Sequence, residues 1–245
     1  MEVKDLKPAL IWQCFDAITK VPRPSTHEEQ IRKFLLDFAA KHNIEARTDA
    51  VGNVAMTKGA TPGFENAPTV ILQAHMDMVA EKNNDVEHDF MKDPIKTYID
   101  GDWVRARGTT LGADNGIGMA AALAVLLDNT LEHGPIECLF TVNEEIGLEG
   151  AQNLGKDLVK GTILINLDSE DDGEIFVGGA GGIDFDMPFF LGYTGLGDDL
   201  VRKYVEDSRE LWEGHVESVG YSTVGGTIGT HVGPGAVALA FFAKQ

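Results

Sequence analysis

Cysteine is scarce. The 245 residues hold two, Cys14 and Cys138, far apart and each in apolar surroundings. Two thiols give no disulfide framework, and each reads as a core residue rather than a ligand. Positive charge is also in short supply. Twenty Lys and Arg face 39 Asp and Glu, giving a net charge of −19 and a sequence pI near 4.6. Such a surplus repels the phosphates of nucleic acids and anionic membrane surfaces, so neither is expected as a partner. Clustered carboxylates can instead hold metal ions. Long apolar runs are missing: "IGMAAALAVLL" falls well short of the roughly 20 residues that span a bilayer. The start, "MEVKDLKPAL", is charged and reads as the approach to a helix rather than as a signal peptide. A reduced, cytoplasmic protein is expected. What is present is globular composition, 43% hydrophobic and 24% charged, with length for a substantial core and one or two domains.

Periodicity supplies the elements. "PALIWQCFDAITK" has apolar residues at helical spacing and is stopped by "VPRPS". "STHEEQIRKFLLDFAAKHN" reads as a second helix, with Ser25 or Thr26 as its cap and Glu28 and Glu29 in its first turn. "IEARTDAVGNVAMTKG" predicts two short strands around a turn at Gly52-Asn53, and "KTYIDGDWVRAR" a hairpin turning at Asp100-Gly101. "TVILQA", "PIECLFTV" and "GTILIN" read as buried strands, "ADNGIGMAAALAVLLDN" as a helix of small residues, and "GEIFVGGAGG" as a short strand running into glycines. Strands alternating with helices predict an α/β fold: a mixed, mostly parallel sheet flanked by helices.

Chemistry collects at the strand ends. "TVILQA" delivers His75 and Asp77, which share a face because alternate strand residues do. "PIECLFTV" delivers Asn143, Glu144 and Glu145, and "GTILIN" delivers Asp168. Asp114 stands at the N-terminus of the small-residue helix. Taken alone, the His75/Asp77 end reads equally well as an aimed site or as a strand leaving the core into a polar loop, and "NEE" reads better as a solvated loop. Together, at the edge of a parallel sheet, they form a cluster of one imidazole and several carboxylates. Buried carboxylates repel one another and cost several kcal/mol each if unpaired, so something cationic belongs among them. Arg105 and Arg107 are one candidate. A pair of divalent metals is the other, since imidazole with carboxylates suits zinc and an aspartate can bridge two ions. In the Glu144-Glu145 doublet, neighbouring side chains diverge. One can bind metal while the other acts as a general base.

"LQAHMDMVAEKNNDVEHDF", "GTTLGADNGIGMAAALA", "GPIECLFTVNEEIGLEGA" and "LINLDSEDDGEIFVGGAGG" resemble the aminoacyl-histidine dipeptidases, also called Xaa-His dipeptidases or bacterial carnosinases, of a clan of di-zinc exopeptidases. The resemblance covers residues 1–183. It implies zinc-dependent hydrolysis of a small dipeptide substrate with histidine favoured as the second residue. By motif it implies that His75 and Asp168 ligate one zinc, that Asp114 bridges both ions, and that Glu145 ligates the other. Glu144 would be the general base, and Asp77 would orient an imidazole ligand. Asn143 departs from the family's usual Asp-Glu-Glu. A larger departure follows the glycines, where the family inserts a lid or dimerisation domain and later supplies a last histidine to the second zinc. Here residues 186–245, with "FFLGYTGLGDDLVRKYVEDSRELWEG" and "GGTIGTHVGPGAVALAFF", resemble the C-terminal end of DegV-family fatty-acid-binding proteins. There His231 would lie near a bound carboxylate. The alternatives to a dipeptidase are therefore a DegV-like fatty-acid-binding module and a non-functional composite of two truncated families. His231 and His215 are the histidines available to replace the missing ligand.

Overall fold

The computed structural model describes residues 1–168 and, beyond them, the backbone of three strands and a few helical positions between 202 and 209. The chain divides into two compact units, Met1–Glu170 and Asp171–Gln245.

The first unit is built on a five-stranded sheet. A 3-10 turn, Val3–Asp5, leads into α1 (Ala9–Ile18) and α2 (Glu29–His42), followed by β1 (Glu45–Thr48), β2 (Val54–Lys58) and β3 (Val70–His75). A hairpin of β4 (Thr97–Asp100) and β5 (Trp103–Ala106) comes next. It is followed by α3 (Ala113–Leu127), β6 (Ile136–Thr141), the short α4 (Glu149–Gln152) and β7 (Ile163–Asn166). The sheet order is β1-β2-β6-β3-β7. β1, β2 and β6 are joined by antiparallel pairings, while β3 runs parallel to both β6 and β7. The expected mixed α/β sheet is thus present, with its parallel part formed by the three strands that end in imidazole or acid.

Alternation along each strand explains the two faces. Val54, Met56, Ala74, Cys138 and Phe140 point to one side, where α1, α2 and α3 bring Phe15, Ile18, Ile31, Leu35, Met119 and Leu123. Ala55, Ile71 and Leu139 point to the other side and meet Leu158 in a smaller cluster. Each fully buried Leu, Ile or Phe contributes roughly 1.5–3 kcal/mol to holding these layers together. The small residues of α3 let it sit close to the strand ends: a Cβ at Gly118 would lie 3.0 Å from the Leu167 carbonyl oxygen.

Both cysteines are free and buried, as expected of core residues. The turn of the β1–β2 hairpin is tied by Asp49, whose Oδ1 accepts from the backbone N–H groups of Val51, Gly52 and Asn53. The cap of α2 departs from expectation. Glu28 occupies the N-cap position without a side-chain cap hydrogen bond, while Ser25 Oγ donates to Asp77 Oδ2 and Thr26 Oγ1 pairs with His27 Nδ1. Asn43, in the left-handed region at φ 55°, closes the helix.

The second unit holds β8 (Phe189–Tyr193), β9 (Gly220–Thr223) and β10 (Val237–Phe241) in the order β10-β8-β9, the first pairing antiparallel and the second parallel. The expected strand in "GEIFVGGAGG", together with His215 and His231, lies outside the described residues.

Candidate metal centre

Register brings the polar residues together. In the parallel pairings His75 stands opposite Thr141, and Gln73 opposite Asn166. Asp77, Asn143 and Asp168 each follow two residues after the end of their strand. The three strand ends therefore open onto one edge, where ligand sites of open α/β sheets lie.

His75 is the centre of the cluster and is wholly buried. Its Nε2 lies 2.8 Å from Asp114 Oδ1, 3.5 Å from Asp168 Oδ2 and 3.8 Å from Glu144 Oε2. Its Nδ1 faces Asp77, 3.2 Å from Oδ1 and 3.1 Å from the backbone oxygen. One ring nitrogen thus meets the carboxylate fan, and the other is held by a buried partner. Asp77 is also wholly buried. It accepts from Ser25 Oγ at 2.8 Å and from the backbone N–H groups of Glu144 at 3.0 Å and Glu145 at 3.3 Å. A single carboxylate therefore fixes the imidazole and the glutamate doublet at once. The far side is open, with the Asp114 side chain 70% exposed.

Two groups of side chains present donor atoms within 4.8 Å of one another: His75 with Asp114 and Asp168, and His75 with Glu144 and Glu145. The six residues expected at the site are therefore assembled in one place. Both glutamates reach the same imidazole, so the geometry does not separate one as ligand from the other as base. Asn143 has its own task. Its Oδ1 accepts from the Thr26 N–H at 2.8 Å, while its N–H donates to Glu28 Oε1 at 3.1 Å.

Electrostatics follow from this crowding. Burial alone would lower the His75 pKa, but the hydrogen bonds to Asp114 and Asp77 outweigh it and raise it to about 10. Burial, countered by His75 and reinforced by the charges of Asp114 and Glu144, pushes Asp168 up to about 6. Glu145 is raised by burial and then by the charge of Asp114. Asp114 is held below the usual carboxylate range, first by its hydrogen bond to His75. Burial would raise Asp77, but its hydrogen bonds from His75, the Glu144 backbone and Ser25 bring it down. The cluster favours a cation on its inner side, and a mixed imidazole–carboxylate donor set fits a divalent metal such as zinc.

The expected neutralising arginines lie elsewhere. Arg105 pairs with Asp100 at 2.8 Å, and Arg107 stacks over the Tyr98 ring, both within the β4–β5 hairpin. The cation that the fold places beside the cluster is Arg23, 2% exposed. Arg23 is not marked by the local pattern, where "VPRPS" reads as a helix stop, and Ser25, expected as a cap of α2, instead donates to Asp77. A charged residue between two prolines, just before α2, is the available signal.

Comparison with known proteins agrees with this geometry. The family model described as peptidase family M20/M25/M40 matches residues 71–234. The chain belongs to peptidase family M20/M25/M40. The match to the M20 model runs to residue 234, through most of the segment for which a DegV-like pattern was expected, and no DegV resemblance is shown there. M20 peptidases are generally metal-dependent, in keeping with the donor groups around His75. Over 184 residues the chain is 54% identical to the cytosol non-specific dipeptidase of Escherichia coli (strain K12), a match covering 75% of this chain and 38% of the relative. The solved aminoacylhistidine dipeptidase from Vibrio alginolyticus superposes with a TM-score of 0.71 at 41% identity, over 86% of this chain and 49% of that one. The aminopeptidase PepT from Bacillus cereus ATCC 10987 shares the fold, with a TM-score of 0.58 at 23% identity, over 80% of this chain and 56% of that one. The chain thus spans about 38% of the curated M20 relative and about half of the solved dipeptidase.

Proposed function

We propose that this chain is a zinc-dependent dipeptidase whose substrates are small dipeptides, with histidine favoured as the second residue. The observation that supports this best is the wholly buried His75 imidazole, its Nε2 turned to carboxylates from three other segments. In this reading His75, Asp114 and Asp168 hold one ion, and Asp114 with Glu145 contribute to a second. A bound divalent ion supplies Lewis-acid polarisation of the scissile carbonyl and lowers the pKa of water beside it. Asp77 keeps the proton of His75 on Nδ1, so that Nε2 presents its lone pair to the metal side. Ser25 and the two backbone N–H groups of the doublet hold Asp77 in that position. Glu144 accepts a proton from the attacking water on a carboxylate oxygen and returns it to the departing amine nitrogen. The proposed setting is cytoplasmic, and the substrate a free small peptide. The residues after Asp186 are proposed as a separate module of DegV-like pattern.

The test is release of free histidine from β-Ala-His by the zinc-loaded protein. Tight uptake of about one zinc per chain is expected, because among the described residues the first of these two sets offers three protein ligands and the second offers two. Glu144→Gln keeps the shape of the side chain but cannot take the proton. It should lower turnover by about 10²–10⁴-fold with zinc content unchanged. Glu145→Gln should lower zinc content as well. A folded, zinc-loaded protein that releases no histidine would overturn the proposal, and activity unaffected by Glu144→Gln would overturn the choice of base.

A further inference from the structure

Arg23 is a buried guanidinium whose hydrogen bonds go to backbone carbonyls. Nη1 donates to the Met76 oxygen at 3.1 Å and to the Asp77 oxygen at 2.8 Å, and Nη2 donates to the Gly112 oxygen. Burying a charge costs several kcal/mol unless its surroundings repay it, so the position of these acceptors matters. Met76 and Asp77 directly follow His75, and Gly112 lies two residues before Asp114. The guanidinium therefore joins the strand end that carries the imidazole to the turn that carries the aspartate facing it. Its own backbone runs alongside the same strand end, where the Met78 N–H donates to the Arg23 oxygen at 3.1 Å.

The surrounding space is shaped to this side chain. Gly112 sits at φ +68°, and a Cβ there would lie 2.5 Å from Arg23 Nη2. A Cβ on Gly116, one turn into α3, would lie 2.7 Å from the same nitrogen. Two glycines thus leave room for one planar fork. A guanidinium can bridge two backbone segments at once, while a lysine ammonium is a single point on a flexible stem.

We infer that Arg23 is a positioning residue for the metal centre, setting the reach between His75 and Asp114 by tying together the backbone segments that carry them. This rests on the reading of the cluster as a metal site. Arg23 is held by three backbone carbonyls of this chain. It makes the gap between imidazole and carboxylate a property of the fold rather than of the ion.

The experiment measures zinc affinity by competition with a chromophoric chelator, and the visible absorption of the cobalt-substituted protein, for wild type, Arg23→Lys, Arg23→Gln and Gly116→Ala. Circular dichroism and thermal melting of the metal-free proteins report folding separately. Supporting partners of metal ligands typically change affinity by about 10–100-fold. Both Arg23 variants should weaken zinc by that order and alter the cobalt spectrum, with the lysine giving no rescue. Gly116→Ala displaces the guanidinium while leaving it in the chain, and should show the same effect in smaller measure. It decides the matter if the Arg23 variants do not fold. Wild-type zinc affinity and cobalt spectrum in Arg23→Lys would overturn the inference, since charge alone would then suffice. Unchanged values in folded Arg23→Gln or in Gly116→Ala would overturn it equally. If the wild-type protein itself takes up no zinc, the metal-site reading falls, and this inference with it.

Discussion

At the residue scale, Asp77 shows how one buried carboxylate can serve several masters. It receives His75, Ser25 and two backbone N–H groups, and these hold its pKa below the usual carboxylate value although burial acts to raise it. The two cysteines show the opposite case, with burial and no compensating donor. Burial pushes Cys14 from its ordinary value of 9.0 to about 11 and Cys138 to about 12. The consequence for stability has a definite sign. Below pH 9 both folded and unfolded chains keep these protons. Above it the unfolded chain releases protons that the folded chain retains, so stability falls as pH rises toward 11 and 12. Urea titrations between pH 8 and 11 should show this decline, and Cys138→Ala should make it shallower. A Cys138→Ala protein with an unchanged alkaline slope would refute the assignment.

At the scale of elements, the site depends on how β6 ends. Asn53, wholly buried at the start of the β2 side of the hairpin, steers the chain there. Its Oδ1 accepts from the Val142 N–H at 3.1 Å, and its Nδ2 donates to Asp49 Oδ2 and to the Gly150 oxygen, each at 2.8 Å. Gly150 must come this close: a Cβ on it would lie 2.5 Å from the Val142 oxygen and from Asn53 Oδ1. Asn53→Ala leaves the Val142 N–H and the Gly150 carbonyl without that partner, at about 1–3 kcal/mol for each orphaned group. A loss of at least about 2 kcal/mol in unfolding free energy is therefore expected. Equilibrium denaturation checks it, and a loss under about 0.5 kcal/mol would show that the turn is held by other means. Because Glu144 and Glu145 follow directly, the same variant should also lower zinc affinity.

At the scale of the whole molecule, the outer edge of the five-stranded sheet stands out. β7 lies last in the strand order, and Ile163, Leu164 and Ile165 are 44%, 53% and 47% exposed. No strand among the described residues pairs with its outer side. The strand carries no charge to discourage pairing, and an edge of this kind is a template for association. Sedimentation velocity should therefore show weight-average mass rising with protein concentration. Leu164→Lys, which places a charge on that edge, should suppress the rise. Concentration-independent mass in the wild type would argue that the edge is satisfied. Asp168 follows this strand by two residues, so association here would also bear on the position of its carboxylate.

Much of this architecture follows from local pattern. Apolar runs of strand length formed strands, and their ends had to carry whatever came next; β6 is buried throughout, whereas β7, expected to be buried, is exposed along its length. His75, Asp77, Glu144, Glu145 and Asp168 were therefore legible as strand-end residues, and Asp114 as the opening of a small-residue helix. Parallel pairing of β3 with β6 and β7 then brings those ends to one edge. Arg23 and Ser25 were not legible. Their partners lie 54 and 52 residues away, and nothing in the local pattern of "VPRPS" reveals that it will run beside the end of β3. The same holds for the cap of α2, where Ser25 and Thr26 had the right chemistry but found other partners once the sheet had formed. Periodicity is a property of neighbouring residues, so the sequence alone decides which segments become strands and helices. Which buried donor meets which acceptor depends on distances that exist only in the closed core, so the tertiary structure alone decided that Ser25 and the Glu144 and Glu145 N–H groups hold Asp77 and that Arg23 lies beside it.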